Sequence, residues 1–186
     1  MNLSVVIKLA EKEAELAQIL LLQDANHFTM VSQAQKQSDG FVTVQHTLPL
    51  LKQMQAGVPQ IIAVYNDKVV GYALSMLTTF NQEIPVLAPM FQVFSHLTYQ
   101  QKALSNYHYY VMGQICIATA FRGQGLFKKL YLKHKEIFKD DFDFCLTEVS
   151  VNNPRSLKAH ENVGFKTIHR YTDEQDTWNI MLWDWQ

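Results

Sequence analysis

The segment Ile115-Cys116-Ile117-Ala118-Thr119-Ala120-Phe121-Arg122-Gly123-Gln124-Gly125-Leu126-Phe127 constrains the fold of this chain more than any other. A β-rich run passes through a short turn, and Arg-Gly-Gln-Gly opens a helical stretch, Gly125–Lys139, with Leu126, Leu130 and Ile137 on one face. Glycines let a backbone approach a ligand closely. The first N–H groups of a helix lack partners and lie at the positive end of its dipole. A strand feeding a helix through such a turn is a cradle for phosphate, and it belongs to a mixed α/β fold.

The rest of the chain reads accordingly. Val5 to Leu9 is a first strand. From Ala10 to Gln23, the residues Leu16, Ile19, Leu20 and Gln23 recur at helical spacing behind Glu11, Glu13 and Glu15. Residues 32–40 form a polar loop. Thr47 caps a second helix with Pro49 in its first turn and Gly57 past its end. Gln60–Tyr65 and Lys68–Leu77 make a hairpin around Asn66-Asp67. Residues 80–106 hold only two charges, Glu83 and Lys102, and read as an inserted loop with a short helix, either core packing or a binding lid. Tyr107–Ile117 and Phe142–Val149 are strands, Pro154–Val163 is a short helix, and Phe165–Tyr171 with Trp178–Trp185 forms a final hairpin. The expectation is one domain over residues 1–186, which is ample length for a core.

Composition narrows the function classes. With 48% hydrophobic and 12% aromatic residues, disorder is excluded. Sixteen Lys+Arg balance 17 Asp+Glu, which argues against a nucleic-acid binder. Six of those basic residues lie between Arg122 and Lys139, against one acid, Glu136, so the phosphate turn and its helix carry a local positive charge. The two cysteines, Cys116 and Cys145, make no disulfide framework, and no CxxC or HxxxH spacing suggests a metal. No signal peptide is visible and no run approaches the ~20 apolar residues that span a bilayer. A cytoplasmic protein with no membrane partner is expected, with room left for a homodimer.

Two nucleotide readings of the turn fail. A Walker loop needs GxxxxGK[ST], but Gly125 is followed by Leu-Phe-Lys-Lys; a Rossmann fingerprint needs GxGxxG, but Lys128 stands at the third glycine. The segment instead resembles the cofactor motif [Q/R]xxGx[G/A] of the GNAT superfamily of acyl-CoA-dependent N-acetyltransferases, matching Arg122-Gly123-Gln124-Gly125-Leu126 and departing at Phe127. A second stretch, from Thr147-Glu148 through Asn152-Asn153-Pro154-Arg155-Ser156 and His160 to Gly164-Phe165, is similar to the other half of that family's cofactor site. Together they cover residues 107–172. The resemblance implies a central mixed, mostly antiparallel sheet, splayed between its fourth and fifth strands and flanked by helices. The cosubstrate it implies is acetyl-CoA, with a small-molecule or peptide amine as acceptor.

By carry-over, the backbone of Ile115, Cys116 and Ile117 would pair with the pantetheine arm. One N–H there could polarise the thioester carbonyl, a role worth about 3–4 kcal/mol in acyl-transfer sites. Arg122, Gly123, Gln124, Gly125, Leu126, Phe127 and Lys128 would hold the phosphates, and Asn153 and Ser156 the arm. Glu148 shares strand parity with Phe142, Phe144 and Leu146, so partial desolvation should raise its pKa toward that of a useful base. His160 occupies the place where the family often has a Tyr that protonates the departing thiolate. It is either such an acid, as an imidazolium, or a packing residue beneath the arm. Cys116 and Cys145 read as buried structural thiols.

Asp173, Glu174 and Asp176 in the last turn could attract a cationic amine, or simply form an exposed turn. Tyr107, Tyr109, Phe91 and Phe94 could wall an acceptor pocket or pack the core. Three readings follow: an acetyltransferase working by direct transfer, a non-catalytic acyl-CoA-binding module, and a nucleotide-binding domain.

Overall fold

The computed structural model describes residues 4–30 and 41–185. Strands Lys68–Met76 and Phe144–Ser150, each buried at all but one residue, occupy the interior of a seven-stranded sheet. Its strands are β1 (Val6–Leu9), β2 (Ile61–Tyr65), β3 (Lys68–Met76), β6 (Tyr109–Ile117), β7 (Phe144–Ser150), β8 (Lys166–Thr172) and β9 (Thr177–Asp184). They are ordered β1-β2-β3-β6-β7-β9-β8. The short strands β4 (Thr98–Tyr99) and β5 (Lys102–Ala103) form a separate hairpin. Every neighbouring pair in the large sheet is antiparallel except β6 and β7. The β2–β3 hairpin turns on Asn66 and Asp67, both left-handed, at φ 49° and 59°, as the strand twist of a two-residue turn demands.

The parallel pair shapes the site. Strands β6 and β7 pair only at Tyr109–Phe144, Tyr110–Cys145 and Val111–Leu146, then diverge. Beyond that point the Thr147 hydroxyl donates to the Met112 carbonyl at 2.9 Å. On the other edge of β6, the register with β3 shifts between Leu74–Gln114 and Ser75–Met112, so Gly113 is an extra residue. A bulge of this kind bends its strand. A Cβ at Gly113 would come within 2.1 Å of Cε at the end of the Met76 side chain on β3, which would have to shift to admit it. The sheet is therefore splayed between its fourth and fifth strands, as the resemblance implies.

Helices cover both faces. On one, α1 (Glu13–Asn26) and α2 (Leu48–Gly57) bury Leu16, Ile19, Leu51 and Met54 against Tyr72, Leu74 and Leu146. The Thr47 hydroxyl accepts the Leu50 N–H at 3.4 Å and so caps α2. The insert adds to this core: Ile84, Leu87, Leu104 and, from α3 (Ala88–Phe94), Met90, Phe91 and Phe94 are buried in it. It is packing and not a lid, and Tyr99 pins it to the sheet by donating to Asp184 Oδ2 at 2.8 Å. Its β4–β5 hairpin turns on Gln100 and Gln101 at positive φ, residues that carry no turn signal. On the other face, α4 (Leu126–Phe138) and α5 (Pro154–Val163) cover Tyr110, Met181 and Trp183.

Two boundaries differ from expectation. The strand read as Tyr107–Ile117 begins at Tyr109, and that read from Phe142 begins at Phe144. Phe142 stacks on His108 and packs on the α4 side, so it does not share a face with Glu148. The polar loop expected at 32–40 lies outside the described residues. Among the described residues no helix is long and apolar enough to cross a membrane.

Candidate functional site

The fork between β6 and β7 opens onto two adjoining clefts, of about 300 Å³ and about 90 Å³, which share Phe41, Val42, Ile115, Asn153 and Ser156. The larger runs along the β6 edge at Ile115, Cys116 and Ile117 to the turn before α4. Gly123 and Gly125 hold φ at 75° and 74°, where a side chain is strained, and a Cβ on either would meet nothing within 4 Å. What requires glycine is the backbone path. The space left above it admits a ligand close to the N–H groups that start α4.

Leu126, Phe127, Asn153 and Ser156 line the same cleft, as expected. Asn153 caps α5, its side-chain oxygen accepting the Ser156 N–H at 3.1 Å. Three residues expected at the phosphates are placed differently from the rest. Arg122 borders the cleft, but its guanidinium is turned into the protein: Nε donates to the Ile117 carbonyl at 2.9 Å and a terminal nitrogen to Asn26 Oδ1 at 2.6 Å. It buckles the turn to the end of β6 and to α1. Gln124 and Lys128 are exposed and outside the cleft lining. Arg155 and Ala159 of α5 do line it. Arg155 could have been found, since it sits in the first turn of the helix that Asn153 caps. Asn26, Phe41 and Val42 had no local signal; they arrive through backbone pairing of Asn26 and Phe28 with Val42.

Cys116 lines the cleft as a buried thiol that burial pushes up to about 11, and burial pushes Cys145 to about 12. Both are protonated at neutral pH and poor nucleophiles.

The smaller cleft is walled by Met112, Gly113 and Gln114 of β6, Thr147 and Glu148 of β7, Trp178 and His160. Glu148 faces the Phe144–Leu146 side of the sheet, and burial raises its pKa to about 7. Asp173 adds to that rise, while the Tyr171 hydroxyl, donating to Glu148 Oε2 at 2.6 Å, opposes it. Tyr171 escaped the sequence reading, because its reach to Glu148 depends on β9 lying between β7 and β8. The acidic turn is largely self-engaged. Asp173 Oδ1 accepts the Gln175 and Asp176 N–H groups at 2.9 Å. Asp176 accepts from the Ser150 hydroxyl and, at 2.7 Å, from the Asn152 amide. Tyr107, Tyr109, Phe91 and Phe94 line neither cleft.

His160 is 2% exposed. Its Nδ1 lies 2.8 Å from the Ser156 carbonyl, which can only accept, so Nδ1 carries the proton and Nε2 accepts from the Tyr131 hydroxyl at 2.7 Å. Burial lowers its pKa to about 4. The imidazolium expected as an acid is therefore not its form at neutral pH.

Among solved structures, the whole chain is similar to a chain of the NatC complex bound to Gag peptide and CoA, with a TM-score of 0.66 and 16% identity over 98% of this chain and 99% of that one. It is also similar to yncA of Salmonella typhimurium, described as a putative acetyltransferase with its cofactor acetyl-CoA, at TM-score 0.63 and 16% identity over 98% and 94%. A third is Arabidopsis thaliana Naa50 in complex with a bisubstrate analogue, CoA-Ac-MVNAL, at 0.60 and 15% over 98% and 99%. Likeness at that identity establishes the fold. A search of curated proteins finds no match. The sequence profile of the acetyltransferase (GNAT) family matches residues 28–165, which include the glycine turn, Glu148 and His160; with the splayed sheet and the two clefts in its fork, this chain belongs to that family.

Proposed function

We propose that the chain moves an acetyl group from acetyl-CoA to a primary amine of a small-molecule or peptide acceptor, by direct attack with both bound. The observation that carries this reading is Glu148, a carboxylate raised to about 7 in the smaller cleft, which adjoins the one that runs to the glycine turn. The residues present suit acetyl-CoA. Open space lies over Gly123 and Gly125 at the start of α4, and the β6 edge at Ile115–Ile117 offers backbone groups to an amide-bearing arm beside Asn153 and Ser156. Acetyl-CoA supplies the activated thioester. Glu148, directly or through water, takes one proton from the ammonium form of the acceptor; the freed amine forms the C–N bond as the C–S bond breaks, and the second proton that the nitrogen sheds ends on the departing sulfur, which leaves as a thiol. A backbone N–H of the β6 edge polarises the carbonyl. His160, neutral, supports Ser156 and the cleft wall. The high thiol pKa of Cys116 favours direct transfer over a covalent acyl-enzyme. That NatC and Naa50 structures carry a Gag peptide and a peptide-bearing analogue supports an amine acceptor.

Acetyl-CoA and CoA should raise the melting temperature where ATP and NAD do not, and some member of a panel of small amines, amino acids, polyamines and peptides should release thiol from acetyl-CoA. Stabilisation without release would leave a non-catalytic acyl-CoA-binding module. No stabilisation by either CoA compound would overturn the reading.

A further inference from the structure

The hydrogen bond from Tyr171 to Glu148 joins two strands that are not neighbours. Strand β9 lies between them, with Ile180 opposite Glu148 and Trp178 opposite Tyr171. The phenol therefore crosses a strand to reach one carboxylate oxygen, Oε2, at 2.6 Å. Among the described residues, Oε1 receives no donor and no Lys or Arg pairs with Glu148. We propose that Tyr171 is a positioning residue for the base: by holding Oε2 it fixes the carboxylate in the cleft wall, leaves Oε1 as the oxygen that takes the acceptor's proton, and favours the ionised form.

The surroundings of Glu148 leave Tyr171 as its counterweight. On β9 it lies opposite Ile180, and it shares its cleft with Trp178 and with Met112, Gly113 and Gln114 of β6, none of which titrates. Strand β8 carries Tyr171 and the exposed His169 on that face, with Asp173 just past its end. Helix α5 presents His160, held neutral by burial. Asp176 is engaged by Ser150 and Asn152. Burial and the Asp173 charge both favour the protonated acid, and the Tyr171 hydroxyl opposes them. Burial and the Glu148 charge push the Tyr171 pKa up, so the phenol keeps the proton that it donates to the carboxylate.

This rests on Glu148 being the base, and the test keeps the two ideas apart. Tyr171→Phe keeps the ring and removes the donor. A hydrogen bond to a charged group, once lost, should move the midpoint of the acid limb of kcat/KM up by about one pH unit or more. Activity should fall about tenfold at pH 6 to 7 and recover by pH 9. Titration of the Glu148 carboxyl by infrared difference spectroscopy, using Glu148→Gln as the blank, should show the same upward shift in the resting protein. An unmoved carboxyl midpoint in Tyr171→Phe would overturn the role of Tyr171. If instead the carboxyl midpoint moves but Glu148→Gln retains the wild-type rate and acid limb, Glu148 is not the base and the proposal falls with that reading. A Tyr171→Phe variant that loses activity equally at every pH would also sink it, as a loss of packing.

Discussion

Strand β7 and helix α5 form opposite walls of one cleft, and each presents a titratable side chain to it, Glu148 and His160. Burial is the largest influence on both. It disfavours whichever form carries charge, so it raises the acid to about 7 and lowers the imidazole to about 4. The same cause suits one group to proton transfer at neutral pH and removes the other from it. Their partners widen the gap. Among the described residues Glu148 keeps one oxygen without a donor, whereas both nitrogens of His160 are engaged, by Tyr131 and by the Ser156 carbonyl. Proximity to the cleft does not by itself assign a chemical role; what the second atom of each group is doing decides it.

The sharpest way to break this contrast is to remove each group in turn. Glu148→Gln should lower kcat by roughly 10²- to 10⁴-fold and abolish an acid limb with its midpoint near 7, measured as thiol release across pH 5 to 9. His160→Leu should behave differently. It leaves the buried Tyr131 hydroxyl without its acceptor, at about 1–3 kcal/mol of stability, while the Ser156 carbonyl keeps its helical backbone partner. The rate, assayed well below the lowered melting temperature, should change less than tenfold. A loss of 10²-fold or more in folded His160→Leu, with the alkaline limb altered, would restore His160 as an acid.

The two halves of the site were not equally legible. The glycine turn was readable because its physics is local: strand, two glycines in left-handed geometry and helix start are contiguous. Glu148 was readable because strand parity places it beside Phe144 and Leu146. Contacts set by distant parts of the chain were not. Arg122 was read for its charge beside the turn, but its bonds to Asn26, 96 residues away, and to the Ile117 carbonyl carried no local signal. Tyr171 needed the β7-β9-β8 order. On α4, apolar periodicity picked out Leu126 and Leu130, whereas Tyr131 and His134, both fully buried, count as polar or mixed and escaped it. The burial of His160 follows from Tyr131, Phe127 and Phe165 packing around its ring, which its own sequence neighbours do not reveal.

The smallest effect is a matter of slopes. His160, His46 and His134 all have folded pKa values depressed by burial, to about 4, about 4 and about 3. Between those values and an unfolded value near 6.5, the unfolded chain binds more protons, so stability rises with pH across that window. Glu148 has the opposite sign. Its folded pKa lies above its ordinary value of 4.5, so the folded chain holds the extra proton between about 4.5 and 7, and stability falls as pH rises through that window. Each full proton difference contributes a slope of about 1.4 kcal/mol per pH unit. Urea unfolding from pH 4 to 8 should therefore show Glu148→Gln gaining stability on wild type as pH rises from 5 to 7. His160→Leu should lose part of the wild-type rise between pH 4 and 6.5. Parallel curves for wild type and Glu148→Gln would mean that the carboxyl is not desolvated, and the contrast between the two cleft walls would then collapse.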